Sequence, residues 1–229
     1  MPYQDLCLRQ ITKLKSASEV RMLHIYVDGS CIGNQNVDAE TPAGWGVVII
    51  TGSNDLGRGN GEILHEFHGK VITDSEDSNF IGAEVGSNNT AELTAFAEAL
   101  RWTLTEGGEA EIIIKTDSQY AGNQATGAWK AKANRELVAH VQSLWKEVSE
   151  LRNLSWEHVK AHSGHRWNER ADHLAIRAAN DEPPKSLSFS SSPIGMLSLD
   201  LESSNKFKSS VSFKASSALF SSCVAASVT

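Results

Sequence analysis

Glu111-Ile112-Ile113-Ile114-Lys115-Thr116-Asp117-Ser118 is the stretch on which the fold turns. Its isoleucine run is apolar on both sides, as suits a buried interior strand. Asp117-Ser118 then carries the chain into a short helix starting at Ser118. Upstream, a helix beginning near Asn88-Asn89 places Leu93, Phe96, Ala97, Leu100 and Leu104 at steps of three and four, and Gly107-Gly108 ends it. Downstream, a helix from about Arg135 to Glu150 puts Leu137, Val141, Leu144, Trp145 and Val148 on one face. A strand over Leu154–Lys160 and a closing helix over Asn168–Ala179 follow. This β-α-β alternation calls for parallel strands. Ahead of it stand Leu23–Val27, ended by the turn signal Asp28-Gly29, then Gly44–Ile50 and Glu62–Ile72, with no helix between them. Those form an antiparallel meander. The expected fold is α/β: a mixed five-stranded sheet, three antiparallel strands then two parallel, flanked by helices.

The chain has 229 residues and 40% hydrophobic content, enough for one ordinary domain with tails. Residues 1–20 mix charge and apolar groups without a period and form a poorly ordered lead-in. Residues 21–181 are the expected folded domain. From 182 to 229 serine dominates and no period persists, so a disordered tail is expected. Cys7, Cys31 and Cys223 are scattered with no CxxC pair, which argues against a disulfide framework or zinc site and fits an intracellular, reducing compartment. The polar N-terminus lacks the apolar run of a secretory signal or membrane span.

A net charge of −7 speaks against a nucleic-acid partner at first sight. The charge is uneven, however. Asp38, Glu40, Asp55, Glu62, Glu66, Asp74, Glu76, Asp77 and Glu84 crowd the first half; Lys130, Lys132, Arg135, Lys146, Arg152, Lys160, Arg166, Arg170 and Arg177 lie later. One side can still hold phosphates, with weak and salt-sensitive binding expected.

Asp28 and Asp117 stand at strand ends, Glu92 in the first turns of a helix, and Asp172 near the start of the last helix. In open α/β sheets these places converge on one edge, where ligands bind. Carboxylates gathered there repel one another unless cations sit between them. Magnesium is the natural candidate, being hard and oxygen-seeking. Two such ions about 3.5–4 Å apart form the clamp for in-line phosphoryl displacement. Taken singly, each acid has a plainer reading. Asp28 belongs to a turn, Glu92 to a capping box with Asn89, Asp117 to a helix cap, and Asp172 to a first helical turn.

The neighbourhoods separate the two readings. Tyr26-Val27-Asp28-Gly29-Ser30, Gly86-Ser87-Asn88-Asn89-Thr90-Ala91-Glu92-Leu93, Thr116-Asp117-Ser118-Gln119-Tyr120, and Trp156 to His165 continuing to Asn168-Glu169-Arg170-Ala171-Asp172 together resemble the cellular (type 1) ribonuclease H family, in order and spacing, from about Arg21 to Ala179. The resemblance implies the ribonuclease H fold and hydrolysis of the RNA strand of RNA–DNA hybrids, leaving 5′-phosphate and 3′-hydroxyl ends. It implies two Mg²⁺ ions, with Mn²⁺ able to substitute, held by Asp28, Glu92, Asp117 and Asp172. Asp28 bridges both ions, Glu92 and Asp117 hold the ion that activates water, and Asp172 the ion beside the leaving group. His162 matches a mobile loop histidine assisting product release or proton movement. Asn34, Asn88 and Gln119 match positions near the RNA strand's minor groove, where the 2′-hydroxyl tells RNA from DNA. Ser87 and Asn89 are placed to help hold phosphates. Trp129 is a candidate surface for the DNA strand's sugars, although a Trp flanked by Ala and Lys more often packs.

The segment between Tyr120 and Arg135 is too short for the basic protrusion of some bacterial members. Short-protrusion domains of this style look similar to those attached to retrotransposon reverse transcriptases. The chain reads as a stand-alone enzyme, expected to be a monomer, or as a fragment of such an element with a reverse transcriptase domain as partner. Two further readings compete: a catalytically silent hybrid-binding module, and another nuclease on this fold, an integrase or 3′-exonuclease. The intact set of four acids with His162, and the Asn88-Asn89 pair, favour ribonuclease H.

Overall fold

A computed structural model describes residues 22–52, 56–161 and 163–187. The lead-in and the chain beyond Leu187 lie outside the described residues, as does His162. Strands β1 (Met22–Cys31), β2 (Ala43–Thr51) and β3 (Glu62–Lys70) precede helix α1 (Asn88–Glu106) and strand β4 (Glu111–Thr116). Helices α2 (Gln119–Ala125) and α3 (Arg135–Leu151), strand β5 (Leu154–His158) and helix α4 (Arg166–Ala179) follow. The sheet order is β3-β2-β1-β4-β5. β1 to β3 pair antiparallel, while β4 joins β1 and β5 joins β4 in parallel. The mixed five-stranded α/β architecture is the expected one. Among the described residues no helix is long and apolar enough to cross a membrane.

Strand alternation divides the interior in two. Leu23, Ile25 and Val27 of β1 join Ile112 and Ile114 in the larger core, filled from α1 by Leu93, Phe96 and Leu100 and from α3 by Leu137 and Val141. Tyr26 faces the other way, with Val48, Ile50, Trp167, Ala171 and Leu174, beneath α4. By the same alternation Asp28 shares Tyr26's face.

The first strand departs from expectation. It continues through Asp28-Gly29 to Cys31, with Asp28 opposite Gly46 and Ser30 opposite Gly44. Asp28-Gly29 is therefore not a turn. Glycine is needed there because α1 crosses so closely that a Cβ on Gly29 would lie 2.2 Å from the Glu92 amide nitrogen. That contact brings the start of α1 against the end of β1.

A second close approach seats α4. A Cβ on Gly46 would lie 2.3 Å from the Ala171 carbonyl, and one on Gly44 2.4 Å from the Ala179 nitrogen. Ala171, Ala175 and Ala178 present small side chains at helical spacing, so α4 rests almost directly on β2. The Trp167 indole donates to the Asn60 carbonyl at 2.8 Å, and Arg170 forms a two-pronged ion pair with Glu66 at 2.9 and 2.6 Å. These contacts set the height of α4 along the sheet, and Asp172 with it.

Helix starts differ from the plainer capping readings. Ser87 caps α1, its Oγ accepting from the Thr90 amide at 3.2 Å, so Glu92 is too far along to complete a capping box. Ser118, not Asp117, caps α2. Helix α4 begins at Arg166, two residues earlier than expected, which moves Asp172 beyond the first turn. The strand-like φ of −77° and ψ of 96° at His165 place the boundary there. After α4 the chain turns back along it: the Arg170 guanidinium donates to the Lys185 carbonyl at 2.7 Å and Arg177 to the Pro183 carbonyl at 2.9 Å.

Replacing Gly46 by Ala is expected to destabilise the protein by about 1–3 kcal/mol, because overpacking here must displace helix backbone rather than a side chain. Urea unfolding followed by circular dichroism checks this; a stability unchanged from wild type would show that α4 does not sit as described.

Candidate active site

Each acid reaches the site from a different element. Asp28 comes from β1, Glu92 from the second turn of α1, Asp117 from the residue after β4, and Asp172 from α4. Among the described residues, Asp28, Glu92 and Asp117 offer carboxylate oxygens that all lie within 4.8 Å of one another. Asp172 is not part of that tight group, but its charge reaches Asp28.

Electrostatics record the crowding. Burial pushes the Asp28 carboxyl up to about 8, the charges of Asp117 and Asp172 add to the rise, and the Gly29 N–H, donating at 2.7 Å, opposes it. Burial raises Glu92 to about 7, against a hydrogen bond from Ser118 and with the Asp117 charge adding. Both shifts run opposite to what an ion-paired acid shows. Among the described residues no hydrogen bond or ion pair joins a lysine or arginine to Asp28, Glu92 or Asp117, so this largely buried group of carboxylates is short of positive charge. Hard oxygen donors in such a group fit a hard divalent cation. The donor set meets that requirement.

Hydrogen-bond donors surround the acids. Ser118 Oγ donates to Glu92 Oε2. The Asn168 amide donates to Asp117 Oδ2 at 3.2 Å, and the His158 ring donates to the Asp117 carbonyl at 3.1 Å. Sequence reasoning assigned no role to Ser118, Asn168 or His158. One signal was available: Asn168 precedes Asp172 by four residues, which puts both on one helix face.

The expected substrate residues border the same edge. Asn88 Oδ1 accepts from the Cys31 amide at 2.8 Å, tying the start of α1 to the end of β1. Asn34 is exposed in the loop after β1 and accepts from the Cys31 thiol at 3.4 Å. Ser87 caps α1, Asn89 is exposed in its first turn, and Gln119 is exposed at the start of α2. Trp129 is 46% exposed.

Residues 21–180 match the RNase H family model. A ribonuclease H of Shewanella sp. (strain MR-4) is 33% identical over 176 residues, spanning 72% of this chain and 92% of that protein. A ribonuclease HI of Shewanella oneidensis is also 33% identical, with the same coverage. Of solved structures, RNase H1 from the halophilic archaeon Halobacterium salinarum NRC-1 aligns with a TM-score of 0.50 and 27% identity, over 70% of this chain and 98% of that one. The N-terminal RNase H domain of a Mycobacterium tuberculosis protein aligns with a TM-score of 0.51 and 26% identity, over 70% and 95%. Fold and site thus define a hydrolase of the nuclease class. The chain belongs to the RNase H family, and it is an enzyme of the ribonuclease H type.

The raised carboxyls make stability depend on pH. An acid whose folded-state pKa lies above its unfolded value near 3.9 costs stability as pH rises between the two values. For Asp28 that window runs from the ordinary carboxylate range to about 8. In chelator-treated protein, Asp28→Asn should raise stability by about 2 kcal/mol at the top of the window, with the gain vanishing towards about pH 4. Thermal melts at several pH values check it; a pH-independent difference would refute the charge-crowding account.

Proposed function

We propose that this chain is an endonuclease that hydrolyses the RNA strand of RNA–DNA hybrids with the help of two divalent ions. The observation that carries the reading is the convergence of Asp28, Glu92 and Asp117 within 4.8 Å on an edge bordered by amides. The relatives named ribonuclease H support the hybrid as substrate. Asp28, Glu92, Asp117 and Asp172 would hold Mg²⁺, with Mn²⁺ able to substitute. Bound there, the ions supply activation of a water nucleophile and neutralisation of the leaving oxygen, giving 5′-phosphate and 3′-hydroxyl ends.

The protein's own groups divide the work. Asp28 feels the charges of Asp117, Asp172 and Glu92 together, so it would be the acid shared by both ions. Glu92 and Asp117 form one flank and Asp172 the other. Asn88 has its carbonyl oxygen committed to the Cys31 amide, so its NH₂ end is what it offers an RNA 2′-hydroxyl. Asn34 and Gln119, exposed on the same edge, are the other candidates for that contact. Ser87 and Asn89 face the N-terminal end of α1, where free N–H groups favour a phosphate. His162, which precedes α4 in the sequence, would serve product release or proton movement. We read the protein as a monomer. Its occurrence alone or within a reverse transcriptase-bearing parent leaves this chemistry the same.

Purified protein with Mg²⁺ and labelled hybrid, duplex RNA, duplex DNA and single strands tests the reading. Internal cuts confined to the hybrid's RNA strand are expected. Binding without cutting would instead favour a silent module, and trimmed or joined DNA ends another nuclease. Asp28→Asn should abolish cleavage while the protein stays folded. His162→Ala should slow turnover without abolishing it, because the acids and their ions supply most of the rate; single-turnover and steady-state rates together distinguish a chemical from a release effect.

A further inference from the structure

The Ser118 hydroxyl has no freedom left. Its side chain is in a residue only 8% exposed, and its own amide donates to Thr116 Oγ1 at 3.0 Å. Ser118 Oγ accepts from the Ala121 amide at 3.1 Å, which is the cap of α2. A hydroxyl carries a single proton. With the Ala121 N–H fixing one lone pair, that proton goes to Glu92 Oε2, an acceptor on a separate helix.

Glu92 needs such a tether. Its long side chain leans toward Asp117, and both are negative when ionised. Without a donor the repulsion would turn Glu92 away. Asp117 has its own supports, Asn168 to Oδ2 and His158 to the carbonyl, so among the acids the lost Ser118 donation falls on Glu92.

We propose that Ser118 is a positioning residue for the metal centre: it commits one oxygen of Glu92 to a hydrogen bond and presents the other to the cation. This rests on the metal-dependent reading above. Outer groups that orient metal ligands typically contribute about 10–100-fold to metal affinity. Ser118 thereby ties the start of α2 to the ligand supplied by α1.

The test must separate donation from capping. Glycine starts helices far better than alanine but donates no side-chain proton, whereas threonine keeps both functions. Calorimetric titration of the full chain with Mn²⁺ in the absence of nucleic acid compares wild type with Ser118→Ala, Ser118→Gly and Ser118→Thr. Ser118→Ala and Ser118→Gly are expected to bind about tenfold more weakly, with Ser118→Thr close to wild type. In hybrid cleavage, the Mn²⁺ concentration for half-maximal kcat should rise in the same two variants while KM for hybrid changes less than about twofold. Wild-type-like binding in Ser118→Gly overturns the proposal, since a weakened Ser118→Ala would then report only the lost cap. A wild-type protein that takes up no Mn²⁺ sinks the metal reading as well; wild-type uptake with unaltered variants sinks only the role of Ser118.

Discussion

The structure is organised around a repulsion. Three carboxylates are held within 4.8 Å of one another in a place where burial alone already raises Asp28 and Glu92. These carboxylates repel one another when ionised unless a cation sits between them. The protein must therefore hold the acids in place by packing elsewhere, and the two cores supply that force. Apolar burial at about 25 cal/mol per Å² over many side chains outweighs a few kcal/mol of charge repulsion.

Two near-contacts transmit this packing to the site. Gly29 lets α1 reach the end of β1, carrying Glu92 in from the larger core. Gly46 lets α4 settle on β2 over the smaller core, carrying Asp172 to the level of Asp28. β1 lies between them and contributes Asp28 from a strand that is paired on both sides. The acids thus come from elements packed on opposite faces of one sheet, and Asp28, Glu92 and Asp117 converge near the ends of the interior strands β1 and β4. Hydrogen bonds from Ser118, Asn168 and the Gly29 amide then select which oxygens remain available. Packing sets position to within a residue's reach; donors set orientation.

Much of this was legible in the chain. Local periodicity reports which residues must be buried, so the isoleucines of β4, the three-and-four spacing of α1 and the meander led to the sheet that is found. Asp28-Gly29 misled, because a glycine that permits a turn and one that permits a close helix crossing look alike. The difference lies in Ala91 and Glu92, more than sixty positions away. The capping readings for Glu92 and Asp117, and the first-turn reading for Asp172, failed for a related reason. Propensity marks a helix start to within a residue or two, while the cap depends on which side chain meets a free amide.

The sequence by itself determined the kind of fold and marked four acids as candidates, since the order of elements and the short stretches around each acid are local properties. Only the tertiary structure decided that Asp28, Glu92 and Asp117 form the tight group while Asp172 stands beside it. It alone matched Ser118 to Glu92 and Asn168 to Asp117. Those pairings join residues 26 and 51 positions apart, and they exist only because the packing of backbone on backbone leaves each side chain one place to go.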